Sequence, residues 1–400
     1  MSDPLEDEDT WDEEVYRHVQ RPLEIRFSIL PARVRTGPER RENAERLLVE
    51  LVELPEERRI RRLRERRFHD AALLDLVLET CHDALPFDLR RAGELATLAV
   101  ELSSLLLKHG EVQGDEAFSR ALCLAGTARR LLGDVAVADT VFEQAGHLAV
   151  TPSERGFFCR ALALLRWDQG RTEEAIALLH RGVQRFAEGQ DPGQQAVCRA
   201  LLGQLHLEQG GTTRAAPLLV QASLDLAGRT RPWLAAQTWL GLALCWATSG
   251  RREKARSARQ RAWDFYGAVE WEEALLSLHW LEGRLAYQLG EAQEAGALLE
   301  AVRRTLIDRR LLPEAALATL DLGLLWLVTG RGREVGTLVE EIETVFAGRP
   351  GFDLALSVLA QPATDAAAGR LSPETWSSIA PILRVAFRLQ GVPLQPVLFA

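Results

Sequence analysis

The sequence predicts an all-helical protein, built as a solenoid of six helix pairs with a period of about 40 residues. The first observation is a set of evenly spaced glycines, at positions 133, 170, 210, 250, 290 and 330. The second is a small residue seven positions before each of them: Gly126, Ala163, Gly203, Ala243, Gly283 and Gly323. The third is a residue of small or modest size five positions after each: Ala138, Ala175, Ala215, Ala255, Ala295 and Val335.

Each glycine is expected to end one helix, because glycine enters the left-handed conformation without a steric penalty. The small residues on both sides of the turn let two helix axes approach closely, and the side chains nine positions after each glycine fill the adjacent space. Those side chains are Phe142, Leu179, Leu219, Arg259, Leu299 and Val339. The first helices are predicted near 116–132, 153–169, 192–209, 232–249, 271–289 and 312–329. The second helices are predicted near 135–150, 172–188, 212–228, 252–268, 292–308 and 332–347.

Prolines mark the predicted starts of several first helices. Pro152, Pro192 and Pro232 are 40 residues apart, and each lies 18 residues before a turn glycine. Proline is favoured in the first turn of a helix because its fixed φ suits the helix and its missing N–H is not needed there. Thr151-Pro152-Ser153-Glu154 reads as a capping box at the first of these starts. The prolines therefore set the phase of the repeat as well as its period.

The repeat motif resembles that of the tetratricopeptide repeat (TPR) family. The match consists of a small residue, a glycine turn seven positions on, an alanine five positions later and a large apolar residue four further on. Segments 201–210 and 167–175 show it best, and the resemblance covers roughly 115–350. TPR units are about 34 residues long, so the additional residues here are expected to lengthen both helices, as in long arrays of bacterial regulators. A HEAT-like solenoid has a suitable period but lacks this glycine and alanine pattern.

The resemblance implies a right-handed solenoid whose first helices line a concave groove. Its groove-facing positions would lie ten, six and three residues before each turn glycine. In this sequence they include Arg160, Trp167, Gln204, Trp280, Arg284, Tyr287, Leu320 and Leu324. Trp, Tyr and Arg are enriched in the hot spots of interfaces, although a tryptophan on a long helix is also commonly a packing residue. We expect a partner protein or peptide to bind along these positions.

Two flanking regions do not follow the repeat, which is predicted over 111–350. Residues 1–34 are predicted to form an acidic, partly disordered tail, because the first 16 residues hold eight acidic and no basic side chains. Residues 35–110 are predicted to form an N-terminal helical block. Residues 351–400 are predicted to form a C-terminal helical cap, since the end of a solenoid needs a cover for its core.

The net charge is −9, and most of it lies in the acidic tail. The rest of the chain is nearly neutral, so long-range attraction of nucleic acid is not expected. Two arginine-rich stretches span 58–67 and 251–261, and they include Arg58, Arg59, Arg61, Arg62, Arg251, Arg252, Arg256 and Arg259. Three interpretations stand: a solvated helix face, a nucleic-acid surface, or an acceptor for the acidic tail or for an acidic segment of a partner.

Signals of catalysis are absent from the sequence. It contains no GxxxxGK[ST], GxSxG or HExxH motif, so no catalytic, cofactor or metal site is predicted. His69, Cys81 and His82 lack the spacing of a metal site and are interpreted as ordinary helix residues. The five cysteines, odd in number and without CxxC, favour buried thiols in a reducing compartment. An acidic N-terminus, and no apolar run near the ~20 residues that cross a bilayer, favour the cytoplasm.

These observations predict a non-catalytic scaffold or adaptor that presents a groove to a protein or peptide. The alternative is a transcription-linked or peptide-sensing regulator, in which the array reads a signal and the N-terminal block gives the output. A third hypothesis, a hydrolase or nucleotide-binding subunit, would require clustered titratable residues in a closed pocket. We further expect the acidic tail to occupy a basic patch or groove in the free protein.

Overall fold

The computed structural model describes residues 38–85, 88–109, 116–226, 232–269, 272–349 and 352–389. Within these ranges the regular secondary structure is entirely helical. The described residues divide into two compact units. The first contains residues up to 167 together with 171–198, and the second contains 168–170 and the residues from 199 onward. The predicted acidic tail, 1–34, lies outside the described residues.

The helices of the first unit are α1 (Pro38–Val52), α2 (Glu56–Arg62), α3 (Ala71–Ala84), α4 (Leu89–His109), α5 (Glu116–Leu131), α6 (Val135–Leu148), α7 (Pro152–Asp168) and α8 (Thr172–Glu188), followed by the start of α9 (Pro192–Glu208). The second unit contains the rest of α9, then α10 (Thr212–Leu226), α11 (Pro232–Thr248), α12 (Arg252–Tyr266), α13 (Glu272–Leu289), α14 (Ala292–Asp308), α15 (Leu312–Val328), α16 (Val335–Phe346), α17 (Asp353–Ala367), α18 (Pro373–Ser377) and α19 (Ile379–Leu389).

The helices of the repeat region begin and end within a few residues of their predicted bounds. All six turn glycines have positive φ angles, between 75° and 86°. A main-chain hydrogen bond closes each described turn, such as that from Arg251 N to Trp246 O at 2.8 Å. The largest deviation is at α16, which begins at Val335 instead of near 332, because Gly332–Glu334 forms a short 3₁₀ turn. A second glycine in this turn lowers the local helix propensity.

The small residue before each turn meets the large residue after it. A Cβ atom placed on Gly126 would lie 2.7 Å from the Phe142 ring, and one on Gly203 would lie 2.6 Å from Leu219. Gly283 and Leu299 stand in the same relation. In each case the glycine makes room for the side chain sixteen residues later, so the two helices of a pair approach closely. This is the contact that the repeat pattern predicts.

Successive pairs in the second unit share their first helices. Helix α11 packs on its own second helix, α12, and also on α13, the first helix of the next pair. Helix α13 packs in the same way on α14 and α15. Beyond α15, the aromatic residues Phe346, Trp376 and Phe387 form a core with α15. Trp376 is 1% exposed, and its Nε1 donates a hydrogen bond to Leu320 O at 2.6 Å.

In the first unit, α1, α3 and α4 enclose a core that includes Leu51, Phe68 and Leu73. Arg59 completes the end of α1 from the inside. Its guanidinium donates hydrogen bonds to Leu51 O, Val52 O and Leu54 O at 3.1–3.3 Å. Carbonyl groups at a helix C-terminus have no partner within the helix, so this arginine satisfies backbone acceptors that burial would otherwise leave unmade.

Candidate partner-binding surfaces

The first unit brings together side chains from three predicted first helices, α5, α7 and α9. The Arg160 guanidinium carbon lies 5.0 Å from the centre of the Phe157 ring, and that of Arg120 lies 5.8 Å from the same ring. Arg160 Nη1 donates a hydrogen bond to Gln194 Oε1. We call Arg120, Phe157, Arg160 and Gln194 the Arg160 site. Its members come from neighbouring helices, as expected of residues on a shared groove face.

Further along α7, the predicted groove positions are covered. Trp167 is 7% exposed and its neighbour on the same face, Leu164, is 8% exposed. The same holds in the second unit for Gln204 at 3% and Leu320 at 5%. Of the predicted positions, these are placed to support the helices; little of their surface is available to a partner.

A second cluster forms where α13 meets α15, within the second unit. Trp280 Nε1 donates a hydrogen bond to Asp321 Oδ2 at 2.7 Å, and Arg284 Nε lies 3.9 Å from the same oxygen. The three residues are half-buried, and Arg284 keeps 38% of its side-chain surface. We call Trp280, Arg284 and Asp321 the Trp280 site. Tyr287 and Leu324, also half-buried, lie on the same two helices and pack on adjoining parts of the core.

Asp321 was not among the predicted site residues. It follows the predicted groove position Leu320 by one residue, so the motif alone did not select it. The signal in the sequence is that Asp321 is the only charged residue between Ala315 and Val328. Phe157 and Gln194 were missed for a similar reason, since they lie further from their turn glycines than the three positions carried over from the resemblance.

Two neighbouring glutamine side chains in the second unit also lie on the predicted groove helices. A Cβ atom on Gly241 of α11 would lie 3.5 Å from Gln204 Oε1, so the Gln204 amide rests against that helix. Gln237, one turn earlier on α11, is 2% exposed, and neither its amide nitrogen nor its amide oxygen has a hydrogen-bond partner among the described residues. Buried polar side chains normally have partners, which makes Gln237 unusual.

The stretch 58–67 is only partly a basic surface. Arg59 is 6% exposed and forms an ion pair with Glu94 at 3.4 Å, in addition to its bonds at the end of α1. Arg62 pairs with Glu50 at 3.2 Å. Arg58 and Arg61 are exposed and make no ion pair with any residue that the structure describes. The sequence places Arg59 in an exposed patch, whereas the structure places it inside the protein.

The stretch 251–261 likewise contains a buried arginine. Arg259 is 6% exposed and pairs with Glu282 at 3.2 Å, with Glu291 at 2.8 Å and with Glu294. Burial acts to lower the pKa of Arg259, but its hydrogen bond to Glu294 and the charge of Glu282 raise that pKa overall. Arg259 is therefore part of an internal ion network and not of the exposed patch that the sequence predicts.

The other arginines of this stretch lie nearer the surface. Arg256 is exposed, 2.9 Å from Glu253 and 3.6 Å from Glu291. Arg252 is exposed and Arg251 is half-buried. The positive charge left for a partner is smaller than the arginine count suggests.

No arrangement typical of catalysis is found. The five cysteines are buried, and burial raises the pKa of Cys81, Cys123 and Cys245 to about 12, so these three are neutral thiols at pH 7. Within the described ranges, no three His, Cys, Asp or Glu side chains are grouped so as to hold a metal ion. No described helix combines the length and apolar character needed to span a membrane.

Comparison with known proteins gives a likeness of fold. No protein-family model and no curated protein matches the chain. Among solved structures, it is similar to Rap protein complexed with Competence and Sporulation Factor, with a TM-score of 0.55 and 13% identity over 79% of this chain and 87% of that chain. It is also similar to BtubC (BKLC) from P. vanneervenii, with a TM-score of 0.44 and 18% identity over 54% of this chain and 90% of that one. The all-helical structure and the likeness to Rap fit a TPR-like repeat fold.

Proposed function

We propose that this chain is a non-catalytic scaffold or adaptor that binds a peptide or protein segment along the first helices of a TPR-like array. The observation that carries this proposal is the Trp280 site, where α13 and α15 present an indole, a guanidinium and a carboxylate that are all half-buried. Such groups combine apolar area with directional hydrogen bonds, which is the composition of interface hot spots.

The proposed architecture is a right-handed solenoid of six repeats over 111–350, preceded by a helical block over 35–110 and followed by a cap over 351–400. The packing of α11 on α13 and of α13 on α15 supports the stacking of first helices. The contact of Trp376 with α15 supports the cap, because it covers the last predicted first helix. An array of this kind needs such a terminal cover for its exposed core.

Two further observations support a bound chain. Gln237 offers a buried amide whose nitrogen and oxygen are both available, and one amide side chain can pair with both the N–H and the C=O of an extended backbone. Rap protein, which shares the fold, forms a complex with Competence and Sporulation Factor. That comparison bears on function by analogy of fold, so the proposal depends mainly on the side chains.

A double substitution tests the proposal. We expect Trp280→Ala with Tyr287→Ala to weaken binding of peptides selected on the unmodified protein by at least about tenfold, since aromatic hot spots are each worth about 2 kcal/mol or more. Peptides would be selected from a random library on the full chain, and their affinities measured by fluorescence anisotropy.

Trp263→Ala is the matched control. This indole also donates to a carboxylate, Glu282, at 2.6 Å, but it lies on α12, a second helix, and is 41% exposed. Its loss should leave peptide affinity unchanged. Equal binding by the double variant and the unmodified protein would remove the proposed surface, and failure of the library to yield any specific peptide would remove the proposed function.

The acidic tail gives a separate prediction. If it competes for a positively charged part of the binding surface, deletion of residues 1–16 should raise peptide affinity several-fold at low salt. The gain should shrink at physiological salt, because exposed charges are screened beyond about 8 Å there. Titrations at two salt concentrations would measure it, and unchanged affinity at low salt would exclude competition by the tail.

A further inference from the structure

Arg160 has an unusual electrostatic environment in the first unit. Its side chain is half-buried on α7, donates to the neutral amide of Gln194 and lies over the Phe157 ring. It forms no ion pair with any residue that the structure describes. Burial is the largest influence on the pKa of Arg160 and lowers it.

Other covered arginines of this protein are paired with acids. Arg59, Arg166, Arg199, Arg259 and Arg303 are each less than one-fifth exposed at the side chain, and their partners are Glu94, Asp139, Asp225, Glu282 and Glu341. Arg166 is the closest comparison, because it lies on the same helix as Arg160 and its Nη2 is 2.9 Å from Asp139 Oδ1. Pairing is thus the rule when this chain covers a guanidinium, and Arg160 departs from it.

The groups that face Arg160 do not neutralise it. The Cys123 and Cys198 thiols lie within electrostatic range, and the pKa of Cys123, raised to about 12 by burial, keeps that thiol uncharged at pH 7. Asp191 also acts on Arg160 from a distance, but its Oδ1 accepts the backbone N–H of Gln194 at 3.1 Å, as a cap of α9. Arg120, over the same ring, faces Asp75 and acts on its charge.

A covered cation without a counter-charge is costly, because it has lost part of its hydration and gained no ion pair in return. Such a group is already oriented for an anion, and a planar guanidinium matches a carboxylate with two parallel hydrogen bonds. We infer that the Arg160 site binds one carboxylate group of the partner, held by Arg160 beside the Phe157 ring. This inference rests on the proposed peptide-binding function and specifies the chemistry that the partner must carry.

The carboxylate has two possible sources, an Asp or Glu side chain and the C-terminus of a peptide. Two libraries separate them: C-terminally amidated peptides containing Asp and Glu, and peptides with a free C-terminus but no acidic side chain. We expect the unmodified protein to enrich one acidic position in the first library, or to bind only the second, by at least tenfold over peptides that lack the group. Arg160→Gln should abolish that preference.

Arg181→Gln is the matched control, because Arg181 is exposed on α8, a second helix, where its Nε is 3.4 Å from Ala177 O of its own helix. It should retain the preference. If the unmodified protein binds peptides without any preference for a carboxylate, or if Arg160→Gln keeps the same preference, the inference is overturned while the proposed function stands.

A second measurement needs no partner. Arg160→Met removes the charge and keeps an apolar side chain, so we expect its melting temperature to equal or exceed that of the unmodified protein. Arg166→Met should instead lower the melting temperature by several degrees, because it leaves Asp139 without its ion pair. In the unmodified protein, the Arg160 Nε–H resonance, assigned by its loss in Arg160→Met, should shift on titration with N-acetylglutamate. A drop in melting temperature for Arg160→Met, or a resonance that does not respond, would overturn the inference even if no library peptide binds.

Discussion

Replacing Trp376 with alanine is expected to lower the free energy of unfolding by about 3–5 kcal/mol, the range found when a large buried aromatic side chain is removed. Trp376 is 1% exposed and donates to Leu320 O at 2.6 Å. Its ring also fills the space above Gly323, where a Cβ atom would overlap the indole. Alanine would leave a cavity between α15 and α18 and remove that hydrogen bond. Urea denaturation followed by circular dichroism would measure the change.

Two related variants separate the contributions to this contact. Trp376→Phe keeps most of the apolar volume but loses the indole N–H, so it should cost less, about 1–2 kcal/mol. Gly323→Ala leaves Trp376 intact but overpacks the same contact, with a cost of about 1–3 kcal/mol. Because the chain has two compact units, the transition of the second unit must be followed separately. A loss below about 1 kcal/mol for Trp376→Ala would contradict the packing of α18 on α15.

The within-repeat part of the fold could be predicted from the sequence because it depends on local spacing. A glycine with positive φ, and a small residue facing a large one sixteen positions later, follow from helix geometry alone. The neighbour of Gly323 could not be predicted in this way. The repeat pattern points to the residue nine positions after the turn, Val339, whereas the structure brings in Trp376 from outside the repeat. No periodicity relates those two positions.

The site residues show the same division. Arg160 and Trp280 could be selected from their positions relative to the turn glycines. That Arg160 lacks a counter-charge, and that Trp280 shares Asp321 with Arg284, depends on which side chains meet between helices. Arg59 looked like a surface charge because it stands in an arginine-rich stretch. Its burial depends on how the chain turns after α1 and presents three carbonyl groups to it.

Arg259 left a clearer signal in the sequence. It occupies the large apolar position nine residues after Gly250, and Glu282 occupies a position, eight residues before Gly290, where most other repeats carry leucine. Two charged residues of opposite sign in adjacent repeats replace two core residues. The spacing does not show that they touch, but the structure places Arg259 Nε 3.2 Å from Glu282 Oε1. Glu282 also accepts hydrogen bonds from Trp263 and Tyr266.

Breaking this ion pair from one side should be strongly destabilising. We expect Arg259→Leu to lower the free energy of unfolding by about 3–5 kcal/mol, because it leaves the buried Glu282 carboxylate without its cation. The double variant Arg259→Leu with Glu282→Leu restores the apolar pair that other repeats carry. It should lie within about 1 kcal/mol of the unmodified protein, since a buried ion pair is often replaceable by well-packed apolar residues at little cost.

The double-mutant cycle measures the coupling directly, with Glu282→Leu as its fourth member. Arg256→Leu is the control, because its partner Glu253 is exposed and exposed pairs contribute about 1 kcal/mol or less. If Arg259→Leu costs no more than Arg256→Leu, the network does not hold a desolvated charge. If the double variant is as unstable as the sum of the single variants, the two residues act independently. Strong positive coupling would instead mean that the charges are tolerated in the core of the second unit only as a pair.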